Sequence, residues 1–159
     1  MLLTVISKGY THMLTSSPEL MSNIMQHFVT LSKAMRNMSS AELQYRQLFT
    51  LSILAEIVRQ EPNYQMPYTA DFLKAVFEID VQEVSYEARA KLLALLGVLY
   101  CSISRQGSLV RELKIAGMLK EAVLGNYAMI EEKFTAKLFN QCIVGMQTKR
   151  VTNFTLAEI

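Results

Sequence analysis

Glu78, Asp80, Glu83 and Glu87 place four carboxylates within ten consecutive residues, a density at which paired acids could do general acid–base work. No nucleophile and no glycine-rich phosphate cradle accompanies them. They also surround the start of a helical pattern, where acids meet the positive end of the helix dipole favourably. His27 sits among Ile24, Phe28 and Leu31, and His12 stands beside Met13, with no cysteine, histidine or carboxylate at ligand spacing from either. Cys101 and Cys142 lie on separate apolar stretches without C-x-x-C spacing, and free cysteines in such settings behave as small buried hydrophobes. These residues predict no catalysis, no bound metal and no cofactor.

Charge is the other chemistry on offer. The net formal charge is only +2, but it is unevenly placed. Residues 56–87 carry seven acids against Arg59 and Lys74, whereas residues 89–150 carry ten bases against Glu112, Glu121, Glu131 and Glu132. The basic set Arg89, Lys91, Arg105, Arg111, Lys114, Lys149 and Arg150 could meet phosphates, but no aromatics for base stacking are interleaved with it. A solvated face or a groove for an acidic peptide fits better, and a nucleic-acid-associated protein is the second reading.

Elements must position whatever these side chains do. With 51% hydrophobic and 19% charged residues in 159, the composition is that of one globular domain, expected over residues 1–147 with a tail over 148–159. No apolar run is long enough to span a bilayer. The opening residues lack a basic leader, which with unpaired cysteines points to a reducing, intracellular setting, cytoplasmic or nuclear. Ten methionines are many for this length and suit both core filling and adaptable binding surfaces.

Helix signals recur along the chain. Ser16-x-x-Glu19 forms a capping box with Pro18 in the first turn, followed by a stripe of Leu20, Ile24, Phe28, Leu31 and Met35. Ser39-x-x-Glu42 opens a helix through Leu43, Leu48, Leu51, Leu54 and Val58. Residues 61–69, with Pro62 and Pro67, are a loop. Thr69 caps a short helix, and Asp80 or Ser85 starts a long one whose residues 92–99 are apolar nearly all round and should be the most buried. Gly107 ends that segment, Ser108 caps the next helix, Ala116-Gly117 is a sharp stop, and Gly125 precedes a last helix from Asn126 or Tyr127. Only residues 151–156 alternate at period two. Long helices thus start near Ser40, Tyr86 and Tyr127, a period characteristic of stacked helical repeats.

The segment 108–146 resembles an armadillo repeat. LVRELKIAGMLKEAVL stands for its first two helices, Ala116-Gly117 for the Ala-Gly corner, and Leu138-Phe139-Asn140 for the Leu-Ser-Asn of the third helix. Residues 43–55 are a second match with Ile53 where the asparagine belongs, and residues 88–100 a third with Gly97-Val98 in place of Ser-Asn. The resemblance implies an all-α fold, a short right-handed α-solenoid of about three armadillo-like repeats. HEAT-like helix pairs and a closed bundle are the alternatives. In that family an asparagine at the place of Asn140 hydrogen-bonds an extended peptide; Ile53 and Val98 break that ladder.

The function that follows is a non-enzymatic interaction module or scaffold, holding a helical or irregular protein partner in a groove formed by the three long helices. Arg46, Arg89, Lys91, Arg105, Lys137, Asn140 and Gln141 are the expected contacts. Apolar ends, including Ile130, Phe134, Leu138, Cys142 and Ile143, suggest a homodimer or a place in a longer solenoid.

Overall fold

The computed structural model describes residues 11–38 and 40–148, and every element among them is helical. Eight α-helices follow one another: α1 (Thr11–Thr15), α2 (Pro18–Asn37), α3 (Ala41–Gln60), α4 (Ala70–Phe77), α5 (Tyr86–Arg105), α6 (Gly107–Glu112), α7 (Ala116–Tyr127) and α8 (Lys133–Thr148), with a 3-10 turn at Val81–Glu83 before α5. The chain divides into two compact units, Met1–Val76 and Phe77–Ile159. No helix among the described residues is long and apolar enough to cross a membrane.

In the first unit, local chemistry sets the helix starts one residue later than the capping boxes suggest. Ser17 rather than Ser16 accepts from Leu20 N at 3.3 Å, because Pro18 at the first helical position fixes the register. Ser40 accepts from Leu43 N at 3.1 Å, while Ser39 lies outside the described residues. The loop over 61–69 is as expected, and Thr69 Oγ1 accepts from Phe72 N to start α4.

The core face of α2 is rotated from the anticipated stripe. Met21, Met25, Phe28, Val29 and Leu31 are buried, whereas Leu20 is 37% exposed. The helix carries two adjacent apolar rows, and the methionine row wins because its flexible side chains fit the irregular space beside α3 and α4. Phe28 meets Phe72 edge-on at 5.3 Å, Phe72 stacks on Tyr68 at 5.8 Å, and Leu51, Leu54 and Ile57 of α3 complete the core. One buried polar pair pins α2 to α3: Gln47 Nε2 donates to Ser32 Oγ, which itself donates to Phe28 O. Such a pair favours one register, since sliding either helix would strand both groups away from water.

In the second unit α5 is the axis, as its apolar surface predicts. Leu92, Leu96, Leu99, Tyr100 and Ile103 are at most 1% exposed. Ser85 caps this helix through Ala88 N, and Asp80 caps the preceding 3-10 turn through Gln82 N at 2.9 Å. α8 is the principal neighbour of α5. The contact is close at Gly97, where a Cβ would come to 2.9 Å of the Phe139 ring, and Phe139 also meets Tyr100 edge-on at 5.8 Å.

The helical corner falls just before Ala116-Gly117, at Lys114. Ile115 N donates to Val110 O and Lys114 N to Arg111 O, the paired bonds of a Schellman ending, with buried Ile115 beside buried Val110 at the accompanying apolar positions. Lys114 takes the left-handed conformation, φ 54°, where glycine is the usual choice. Three further boundaries differ from expectation. Gly107 begins α6 instead of ending α5, and the N-cap position falls to Gln106 rather than Ser108. α7 continues through Gly125 to Tyr127, so α8 starts at Lys133 rather than near Asn126. A glycine alone does not stop a helix whose flanking residues, Val123 among them, are held by packing.

Candidate functional site

The first unit carries an apolar open groove along α2 and α3. Ile24 and His27 on α2 face Tyr45, Phe49 and Ile53 on α3, with Arg46 at the rim, around a hollow of about 320 Å³. That volume lies at the lower end of the range for small-ligand sites and accommodates a few side chains. Tyr45 and Phe49 are one turn apart, their rings stacked at 6.4 Å, and Tyr45 is 69% exposed. Arg46 forms an exposed i,i+4 ion pair with Glu42, which holds the guanidinium along the helix at little energetic gain. Of the anticipated contacts only Arg46 lies here. The aromatic pair was legible as an i,i+4 repeat, but its side of the helix was not.

In the second unit, Lys137, Asn140 and Gln141 do come together, on the outer face of α8 with Lys133 and Val144. All three are exposed, so the Asn140 amide is placed on a solvated face. Lys91 and Arg105 are also exposed, near opposite ends of α5. Arg89 plays a structural part, since its Nε donates to Val81 O and its Nη2 to Gln82 O, both at 3.3 Å, tying α5 to the 3-10 turn before it. Arg89 also borders a small pocket of about 90 Å³, with Leu93, Met129 and Ile130. At its mouth Tyr86 donates to Glu131 at 2.7 Å, and that bond raises the phenol's pKa.

The acidic run disperses on folding. Asp80 is committed to its cap, Glu87 lies in the first turn of α5, and Glu78 and Glu83 are exposed. Among the described residues no three histidine, cysteine or acidic side chains gather as a metal-binding group.

The two cysteines are brought side by side, which their separation in sequence concealed. Cys101 on α5 and Cys142 on α8 are both buried free thiols, near enough that each shifts the other's pKa. Cys101 Sγ donates to Leu138 O at 3.1 Å, one turn before Cys142. The Cys142 thiol lowers the pKa of Cys101, against the effect of burial and with help from Arg105. Cys142 is pushed up, first by Cys101 and then by burial.

Fold and surfaces together define an all-α protein with an aromatic-lined groove in one unit and a buried thiol pair in the other. Comparison with protein-family models, with curated proteins and with solved structures finds no match.

Proposed function

We propose that the chain is a non-enzymatic interaction module that holds an amphipathic helix of a protein partner in the α2–α3 groove. The observation that carries this reading is the solvent-exposed Tyr45–Phe49 stack beside Ile24 and Ile53. Exposed aromatics grouped around a hollow are costly to leave in water and are the side chains that dominate binding energy when covered. A helix supplies apolar anchors at i, i+3 or i+4, and i+7, the spacing a groove between two helices takes. Acids on its flank would meet Arg46 and His27.

We further read the helices as an armadillo-like right-handed solenoid. Its support is the succession of long helices α3, α5 and α8, starting at residues 41, 86 and 133; α5 and α8 each follow shorter helices, whereas α3 follows α2 of equal length. An experimental structure with a closed bundle would replace that reading while leaving the groove.

The test of the groove is selection of amphipathic peptides from a displayed library against the whole chain, followed by calorimetric titration. Tyr45→Ala and Phe49→Ala are each expected to weaken the selected peptides about tenfold or more, with helicity and melting temperature retained. Lys137→Glu is expected to change little. Binding that survives both aromatic truncations but fails with Lys137→Glu or Asn140→Ala would move the interface to the α8 face. Light scattering that shows a dimer dissolved by Phe49→Ala would make the occupant a second copy.

A further inference from the structure

We propose that Cys101 and Cys142 are a two-electron redox pair, oxidised by a hydroperoxide to an intramolecular disulfide that joins α5 to α8. The pairing rests on placement. Both cysteines are buried, one on each of the two packed helices, and Cys101 Sγ donates at 3.1 Å to the carbonyl of Leu138, one turn before Cys142 on the helix that carries it. Gly97, one turn before Cys101, removes the side chain that would hold the helices apart: Phe139 and Leu138 fill its place. The sulfurs therefore face each other where α5 and α8 approach closely.

Their environments differ in the way a two-step reaction requires. Cys101 is 9% exposed, the more accessible of the two, and the Cys142 thiol and Arg105 favour its thiolate once the proton it donates to the Leu138 carbonyl has left. Cys142 is 1% exposed and retains its proton. Cys101 thus attacks first. Its thiolate attacks the distal oxygen of the hydroperoxide, forming an S–O bond as the O–O bond breaks; the departing alkoxide takes a proton and leaves as alcohol, or as water from hydrogen peroxide. Cys142 then attacks the resulting sulfenic sulfur. The S–S bond forms, the S–O bond breaks, and hydroxide leaves with the Cys142 proton as water. Two thiols lose two electrons and two protons while one peroxide is reduced, and a dithiol reductant reverses the change.

The experiment treats the full native chain with hydrogen peroxide and follows intact mass, thiol titre in denaturant and migration on non-reducing gels. Expected is a loss of two hydrogens in mass, disappearance of both thiols, no dimer, and a cross-linked peptide pair containing Cys101 and Cys142 after digestion. Dithiothreitol restores all of these. Cys142→Ser is expected to stop at a sulfenic acid on Cys101 that dimedone captures, whereas Cys101→Ser consumes peroxide far more slowly. Both thiols persisting in the folded chain, over-oxidation of one cysteine without a cross-link, or a disulfide formed only in urea would each overturn the proposal.

Discussion

Single residues show best where close packing and chain flexibility pull in opposite directions. Glycine inside a helix ordinarily costs about 1 kcal/mol relative to alanine, so Gly97→Ala and Gly125→Ala would both stabilise if local preference ruled. At Gly125 nothing lies within 4 Å of an added Cβ, and the alanine variant is expected to gain about 0.5–1 kcal/mol. At Gly97 the new methyl meets a fully buried Phe139 ring at 2.9 Å that has no room to swing away. Overpacking then outweighs propensity, and a net loss of about 1–2 kcal/mol is expected. Urea midpoints of the two variants should therefore move in opposite directions, and a stabilised Gly97→Ala would show that α5 and α8 separate readily.

At the level of elements, ends are decided by caps whose chemistry can be tested one at a time. Ser85→Ala removes the acceptor for Ala88 N and should cost about 1 kcal/mol. Ser108→Ala makes a useful contrast, since that exposed hydroxyl lies inside α6, whose N-cap is Gln106, and its midpoint should stay within the error of the wild type. The corner between α6 and α7 carries a cost of its own. Lys114 occupies the left-handed position with φ 54°, so Lys114→Gly is expected to stabilise by up to about 1 kcal/mol in thermal or urea unfolding. Destabilisation instead would mean that the lysine side chain contributes more at this corner than its backbone strain costs.

For the whole molecule, the buried phenol predicts an alkaline limit. Tyr100 accepts a hydrogen bond from Asn126 Nδ2 at 2.9 Å, and burial raises its pKa above the ordinary 10.0. Below pH 10 it is neutral folded and unfolded, and it gives stability no pH dependence. Above pH 10 the unfolded chain releases the proton while the folded chain keeps it, so stability falls as pH rises through that window. Cys142 acts in the same direction above 9.0, and Cys101, with its lowered value, opposes it. Tyr100→Phe should flatten the alkaline loss, at a cost of about 1 kcal/mol near neutrality for the Asn126 amide left without its acceptor. Unfolding curves from pH 7 to 11 check both, and an equally steep fall in the variant would assign the limit to other groups.

Local physical chemistry made much of this protein readable in its sequence. Serine and threonine hydroxyls with helical spacing behind them mark the starts of α4 and α5, prolines mark the 61–69 break, and unbroken apolar surface marks α5 as the central helix of its unit. These are short-range signals, each a contest between a few neighbouring groups. What tertiary structure alone decided are the contests between distant ones. Which of two apolar rows on α2 turns inward depended on the space left by α3 and α4, and so Ile24 became a groove residue. Gly125 stays helical and Lys114 makes the corner because Val123, Val110 and Ile115 are held by packing, which overrides glycine's preference. The expected contacts separated for the same reason: Lys137, Asn140 and Gln141 share one face of α8, while Arg89 turns back on the 3-10 turn before its helix. Cys101 and Cys142 become partners only when α5 and α8 pack, since proximity across two helices is set by the side chain missing at Gly97 and leaves no trace in the spacing of either cysteine.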